Sequence, residues 1–191
     1  MKRRTILAVA LCIVVGSVIA QTDAELNAWN DVNIYEINKL YPRTNVIPIG
    51  EEWSQRLNKS WNFYWYEHPD QAPRNFPNTE LYDIVWSVPF NWEIMDLSKP
   101  WLQHGLGTPI YVNVDNEFRP NDPPFAPTKD NPVGCYLTEF EIPESWGDRL
   151  TFINFGAVKS AYYVWVNGQF VGFNEDAKTN AEFDLTSYAG K

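Results

Sequence analysis

Histidines and adjacent acidic residues are the side chains of this sequence best suited to metal binding or acid–base chemistry. His68 and His104 lie far apart, and no Cys or acidic residue at a ligand spacing completes a metal site around either. The pairs Glu51-Glu52 and Glu175-Asp176 do not form a catalytic dyad, because adjacent side chains on an extended chain point in opposite directions. The pattern predicts packing in loops or at the surface for the histidines, and it assigns no catalytic residue and no metal ligand.

Aromatic side chains are the other candidates, because they stack on sugar rings as well as filling the cores of sheets. They make up 16% of the chain, with nine Trp, and core packing is the preferred interpretation for most of them. Trp92 and Trp101 lie near the loops that precede Asn113 and are candidates for stacking on a sugar, although packing is again preferred. A Ser-His-Asp arrangement, a phosphate-binding loop and a dinucleotide fingerprint are absent from the sequence.

The N-terminus has the pattern of a secretory signal peptide. Basic residues at 2–4 precede an apolar run at 6–15, which is followed by the segment GSVIA at 16–20. The run is too short for a permanent membrane span, which needs roughly 20 apolar residues. A lipoprotein signal at Cys12 is disfavoured, because Leu11 stands where a small residue is expected. We therefore expect cleavage after Ala20, a periplasmic or extracellular location, and no membrane association of the mature chain.

The charge and cysteine content exclude further classes of function. Without the three basic residues of the leader, the 15 Lys and Arg fall to 12 against 24 Asp and Glu, a formal charge of −12. Such a surface repels phosphate backbones, so nucleic acid is not an expected partner. Cys135 is the one cysteine left after cleavage, which leaves no intrachain disulfide and predicts a small buried apolar residue.

Short strands separated by turn residues dominate the rest of the sequence. The aromatic run at 61–66 and residues 83–88, which end before Pro89, read as strands. Asn167-Gly168 between two apolar runs predicts a hairpin with a type I′ turn. Residues 136–142 alternate as a half-buried strand, and 150–155 suit a strand inside a sandwich. Loops are predicted at 69–77 and 119–132. Together these elements predict an all-β, antiparallel β-sandwich of the jelly-roll type.

Seven segments in chain order resemble the first domain of family 2 β-galactosidases. They are LNKSWNF (57–63), VPFNWE (88–93), GTPIYVNV (107–114), PPFAP (123–127), NPVGCY (131–136), the WVNG hairpin turn (165–168), and EDAK followed by AEFD (175–184). The sequence departs from the family at Lys59, where Gly is usual, at Phe90, where Ser is usual, and in an insertion at 94–103. The residue patterns predict a signal peptide at 1–20 and an extended leader at 21–50, and the resemblance implies a sugar-binding-type sandwich at 51–191, like a galactose-binding domain, that is incomplete at its C-terminus.

The resemblance also implies a function. Asn113 matches the Asn that hydrogen-bonds the terminal galactose in similar enzymes, and an amide offers both donors and an acceptor to sugar hydroxyls. The alternative is that Asn113 only fixes a loop. Retaining hydrolysis by two carboxylates is implied for a barrel domain outside this chain, so the chain alone is expected to be inactive. Asp176 and Lys178 match a loop motif and are expected to hold that loop by hydrogen bonds or a charge pair.

The implied partners are a galactoside or oligosaccharide and the catalytic barrel, with a homo-oligomer left open. No cofactor is expected within this chain, while Mg²⁺ and Na⁺ are expected for the full-length enzyme with ligands mostly beyond this segment. A free-standing carbohydrate-binding module without catalysis is the alternative function, because the same sandwich also serves as a lectin scaffold. A related enzyme acting on a glucuronide or mannoside is a third, which the Asn113 motif argues against.

Overall fold

The strands of this protein lie in two antiparallel sheets. The computed structural model describes residues 5–9, 23–43, 52–72, 84–87, 124–127 and 129–188. Within these ranges the strands are β1 (Thr5–Val9), β2 (Glu36–Ile37), β3 (Ser60–Tyr66), β4 (Ile84–Ser87), β5 (Val133–Phe140), β6 (Phe152–Phe155), β7 (Tyr162–Val166), β8 (Gln169–Asn174) and β9 (Ala181–Asp184). The helical elements described are one turn, α1 (Asp23–Leu26), and 3-10 turns at Ala28–Asn30, Pro69–Gln71 and Glu144–Trp146.

The larger sheet has the order β2-β8-β7-β1-β5-β3-β4, and β6 and β9 form the smaller one. Every strand pair in the described part is antiparallel. The predicted all-β antiparallel sandwich is therefore confirmed. Among the described residues, no helix is long and apolar enough to cross a membrane.

Each face of the larger sheet is covered by a different layer. On one face, Val164 and Val166 of β7 pack with Ile153 and Phe183 of the smaller sheet. On the other face, Trp165 packs in a cluster with side chains of the N-terminal segment and of β5 and β8; this cluster comprises Ala28, Ala72, Cys135, Tyr163, Trp165 and Phe173. Because both faces are covered, all five residues of β7 are buried, and Cys135 is the buried apolar residue that was predicted.

The β7–β8 hairpin confirms the strongest local prediction. Asn167 and Gly168 have φ of 50° and 78°, as a type I′ turn requires. The Asn167 side chain also donates a 2.8 Å hydrogen bond to the Tyr188 carbonyl, which ties the turn to the chain after β9. Beyond the turn, Trp165 pairs with Phe170 and Val164 with Gly172. The intervening Val171 is therefore a bulge residue.

Several strand boundaries and environments differ from the prediction. β5 begins at Val133 and ends at Phe140 rather than spanning 136–142. β6 is buried on one face only, because Phe152 is exposed while Ile153 lies in the core. The alternation of apolar and polar residues did not predict β9, although its residues form the AEFD segment of the family resemblance. The described parts of the two predicted loops contain turns, as expected from their Pro, Asn and Asp content.

The first strand, β1, lies within the predicted signal peptide. β1 pairs with β5 through all five of its residues and with β7 through Leu7, Ala8 and Val9. It occupies an internal position of the larger sheet, between strands that are far from it in sequence. This placement tests neither export nor cleavage after Ala20, so the signal peptide remains a prediction, as do the domain boundaries.

Candidate functional site

The sugar-binding candidate, Asn113, lies outside the described residues. The same is true of Trp92, Trp101, His104 and Glu51. In sequence, Asn113 falls between β4, which ends at Ser87, and β5, which begins at Val133. Its contact with a sugar therefore remains a prediction, and the geometry that follows is that of polar groups elsewhere in the same sandwich.

A group of polar side chains lies where β8 ends, and we call Glu36, Lys39, Asn174 and Asp176 the Asn174 cluster. Lys39 Nζ donates to Asn174 Oδ1 at 3.1 Å and lies 2.8 Å from Glu36 Oε2. Asn174 Nδ2 donates to the Asp176 carbonyl at 3.0 Å. Only 1% of Asn174 and 7% of the Lys39 side chain are exposed. Burial with satisfied partners indicates that the cluster joins the N-terminal segment to the hairpin.

Asp176 holds the loop that follows β8. Its Oδ1 accepts a 3.1 Å hydrogen bond from the Lys178 backbone N–H, and its Oδ2 accepts one from the Thr179 hydroxyl. These hydrogen bonds, that of Thr179 first, lower the pKa of Asp176. The predicted loop-holding role is confirmed in its hydrogen-bond form, with Lys178 contributing its main chain.

The pKa of the neighbouring carboxyl, that of Glu175, is shifted in the opposite direction. Partial desolvation raises the pKa of Glu175, although much of the residue remains exposed. Its backbone N–H donates a 3.1 Å hydrogen bond to the Tyr35 carbonyl. Two carboxyls with pKa values displaced in opposite directions are typical of acid–base pairs, but both Asp176 oxygens are engaged within the loop. The pair therefore supports no catalytic assignment.

Two buried tyrosines are adjacent in β7 but point to opposite faces of the larger sheet, Tyr162 toward the cluster with Ile153 and Phe183 and Tyr163 toward the cluster with Trp165. Burial raises the pKa of both Tyr162 and Tyr163, so both stay protonated at neutral pH. The Tyr163 hydroxyl donates to the Leu26 carbonyl and accepts from the Trp29 N–H, each at 3.1 Å. A hydrogen bond to Asn174 lowers the pKa of Tyr162 against the larger effect of burial. The phenols act as fixed hydrogen-bonding groups that hold neighbouring segments.

His68 packs in a loop, as predicted. Its Nδ1 accepts a 3.2 Å hydrogen bond from the Asp70 N–H and so caps the 3-10 turn at Pro69–Gln71. Its ring meets that of Trp29 edge to face, with centroids 6.3 Å apart. Among the described residues, no group of three or more His, Cys, Asp or Glu side chains is placed to hold a metal ion.

Exposed aromatic side chains were not singled out from the sequence. In the described part they include Tyr35, Tyr41, Trp53, Phe125 and Phe152. The guanidinium of Arg149 lies 3.9 Å from the Trp53 ring centroid, and that of Arg43 lies 5.1 Å from that of Phe152. Each guanidinium covers one face of its ring, and that face is not available to a sugar. No periodic signal marks these residues, because they lie mostly in turns and loops.

Comparison with known proteins identifies the domain. The model of the sugar binding domain of glycosyl hydrolases family 2 matches residues 54–191. This chain belongs to glycosyl hydrolase family 2. The match covers strands β3 to β9, including the hairpin and the loop that Asp176 holds. The match thus includes Asn174 and Asp176 of the Asn174 cluster, while Glu36 and Lys39 precede it.

The chain is similar to bacterial proteins named beta-galactosidase. It is 43% identical to that of Priestia megaterium over 84% of this chain, 37% to that of Psychromonas ingrahamii over 72%, and 33% to that of Halalkalibacterium halodurans over 88%. The aligned regions are 16%, 12% and 17% of the respective relatives. This family 2 chain therefore spans 12–17% of the length of these relatives.

Proposed function

We propose that this chain is the N-terminal sugar-binding portion of an exported β-galactosidase that hydrolyses terminal β-galactosides. The observation that carries the proposal is the 43% identity to a protein named beta-galactosidase over 84% of the chain. The family 2 sugar-binding match over 54–191 supports it independently. In this proposal, Asn113 hydrogen-bonds the terminal galactose and forms one side of the sugar pocket.

The chemical step is assigned to a catalytic barrel outside this chain. Two carboxylates of that barrel serve as acid/base and nucleophile in a retaining mechanism. The present chain contributes binding, because an amide such as Asn113 offers two donors and an acceptor to neighbouring hydroxyls. The sandwich supplies a rigid support for that amide in this proposal, since β7 of its larger sheet is buried on both faces. We expect the chain alone to lack hydrolytic activity.

Mg²⁺ and Na⁺ enter the proposal only for the full-length enzyme. The described residues do not offer a set of three converging metal-ligating side chains, so none of them is assigned a metal-dependent step. The catalytic barrel and a galactoside or oligosaccharide are the proposed partners, and a homo-oligomer stays open. Export to the periplasm or beyond rests on the leader pattern at residues 1–20.

Assay of the full-length parent against a panel of nitrophenyl glycosides tests the proposal. We expect hydrolysis of the β-galactoside with clear preference over the glucuronide and mannoside. Replacing Asn113→Ala should lower kcat/KM for the galactoside by about 10- to 100-fold, because one or two hydrogen bonds to the sugar are lost. Asn154→Ala is the matched control, since this exposed amide bonds Glu182 within the sandwich, and it should change kcat/KM less than about twofold.

Preference for another glycoside would reject the proposed substrate, and equal kinetics for Asn113→Ala and Asn154→Ala would reject the proposed contact.

A free-standing carbohydrate-binding module is the second candidate, favoured by the match to a domain described as sugar binding. Calorimetric titration of the purified chain with galactose and lactose separates the two. Binding at a dissociation constant below about 1 mM, an affinity that a module must supply by itself, would favour the second candidate.

A further inference from the structure

The imidazole of His68 faces both a hydrogen-bond donor and an acceptor that belong to the same residue. Its Nδ1 accepts a 3.2 Å hydrogen bond from the Asp70 backbone N–H, and Oδ2 of the Asp70 carboxylate lies 3.3 Å from the same nitrogen. The first contact requires a bare Nδ1, while the second becomes a hydrogen bond only when Nδ1 carries a proton. Protonation of His68 therefore exchanges one Asp70 partner for the other.

The contact made by the neutral imidazole supports the turn that follows it. His68 is the N-cap residue of the 3-10 turn Pro69–Gln71, and its backbone is extended, with φ of −148° and ψ of 150°. Pro69 has no backbone N–H, so the Asp70 N–H is the first donor of the turn and His68 Nδ1 is its acceptor. Loss of an N-cap acceptor weakens a helical turn. Protonation of the imidazole should therefore loosen this one.

The turn adjoins the N-terminal segment. The His68 and Trp29 rings meet edge to face, with centroids 6.3 Å apart and planes at 87°. The backbone N–H of Trp29 donates a 3.1 Å hydrogen bond to the buried Tyr163 hydroxyl. Ala72, which ends the turn, and Ala28, which precedes Trp29, belong to the same buried cluster. A positive charge on the imidazole therefore lies against the segment that covers this face of the larger sheet.

Asp70 is the charged residue in contact with the imidazole among the residues that the structure describes. Its side chain is 83% exposed and that of His68 is 23% exposed, so solvent partly screens the pair. Glu67 is adjacent to His68 in sequence and is also exposed. From the N-terminal side, Trp29 contributes an uncharged ring, and the Tyr163 hydroxyl bonded to its N–H stays protonated, because burial raises the pKa of Tyr163.

We propose that His68 is a pH-dependent switch that controls the turn Pro69–Gln71 and its contact with Trp29. In its neutral form the imidazole accepts from the Asp70 N–H and caps the turn. In its protonated form Nδ1–H donates to the Asp70 carboxylate, the Asp70 N–H loses its acceptor, and a positive charge faces the Trp29 ring. Histidine is the side chain that most readily changes its charge between about pH 5 and pH 8. This proposal does not depend on the proposed enzymatic function.

NMR spectroscopy of the full 191-residue chain tests the switch at about pH 7.5 and about pH 5.5. Long-range ¹H–¹⁵N spectra identify the protonated ring nitrogen, and at the higher pH we expect the proton of His68 on Nε2, with Nδ1 bare. At the lower pH the protection factor of the Asp70 amide, corrected for intrinsic exchange, should be about 2- to 30-fold smaller, as loss of an N-cap acceptor implies.

The Gly147 amide is the internal control. It donates a 3.0 Å hydrogen bond to the Glu144 carbonyl at the end of the 3-10 turn Glu144–Trp146, which has no side-chain cap. Because no cap can be lost there, its corrected protection factor should change less than about twofold between the two pH values.

The variant His68→Asn separates protonation from capping. Asn is a good N-cap acceptor and gains no proton in this pH range, so the Asp70 amide of this variant should keep its protection at both pH values. The indole N–H signal of Trp29, assigned by its absence from the spectrum of Trp29→Phe, should shift with pH in the wild type and stay in place in His68→Asn.

A proton on Nδ1 of His68 at the higher pH, or an equal loss of Asp70 protection in the wild type and in His68→Asn, would overturn the switch. An unchanged Trp29 indole signal in the wild type would overturn its action on the N-terminal segment. Near-ultraviolet circular dichroism reports whether His68→Asn is folded. If it is not, the comparison of the Asp70 and Gly147 amides in the wild type decides the proposal.

Discussion

Replacing Gly172→Ala should destabilise the sandwich, because β2 and β9 both approach β8 at this glycine. A Cβ at Gly172 would lie 2.5 Å from the Ile37 carbonyl oxygen and 2.5 Å from Cε1 of the buried Phe183 ring. Contacts shorter than 3.0 Å are essentially never found for real Cβ atoms, so the strand or the ring must move. The φ of Gly172 lies outside the left-handed region, which leaves steric overlap as the cause.

Overpacking of this kind costs about 1–3 kcal/mol, and Gly→Ala regains about 0.4–1 kcal/mol by restricting the unfolded chain. We therefore expect the free energy of unfolding to fall by roughly 1–2 kcal/mol. Urea unfolding followed by tryptophan fluorescence measures it, as a shift of the midpoint by about 0.5–1 M. Gly156→Ala is the control, since no heavy atom lies within 4 Å of its Cβ position.

The overlap with the ring can be separated from the overlap with the main chain. In a Phe183→Leu background, Gly172→Ala should cost less than in the wild type, and the difference is the coupling between the two residues. An unfolding free energy for Gly172→Ala within about 0.5 kcal/mol of that for Gly156→Ala would refute the steric reasoning as a whole. Full additivity with Phe183→Leu would refute the overlap with the ring and leave the Ile37 carbonyl as the cause.

Two further predictions concern the polar groups that hold the N-terminal segment and the loop after β8. Tyr163→Phe removes the hydroxyl that joins Leu26 and Trp29, so urea unfolding should show a loss of about 1–2 kcal/mol; amide exchange at Trp29 as slow as in the wild type would contradict this. The lowered pKa of Asp176 means that its carboxylate stabilises the folded state above its unfolded pKa of about 4, and that this stabilisation is lost as the pH falls below it. The melting temperature of Asp176→Asn should fall less than that of the wild type between about pH 6 and pH 3. An equal decrease for the two proteins would contradict the stabilising role of the Asp176 carboxylate.

Local sequence signals predicted the elements whose conformation is decided within a few residues. The positive φ values at Asn167 and Gly168 follow from a turn type that few other residues tolerate. The aromatic run at 61–66 gave β3 to within one residue, and the burial of Cys135 followed from its place at a strand entry. In each case the residues that determine the local conformation lie within the strand or turn itself.

Contacts between segments that are distant in sequence could not be predicted from local sequence patterns. Lys39 and Asn174 are 135 residues apart, and nothing in either neighbourhood indicates that an ammonium group will be buried against an amide. The strand at Thr5–Val9 has the composition of a signal peptide, and only its pairing with β5 and β7 reveals it as part of the sheet. The role of Asp176 was predictable only through family resemblance, because its partners are the backbone and hydroxyl groups of a loop.

The hydrogen-bonding partners of the described polar side chains distinguish between the two proposed functions. A free-standing sugar-binding module needs hydrogen-bonding groups and an aromatic surface within its own chain. The buried polar side chains of Tyr163 and Asn174 are engaged with the protein itself. Trp53 is covered on one face by Arg149. These features of the described residues favour the first proposal, in which a neighbouring domain completes the sugar site and Asn113 is proposed to contribute a single amide.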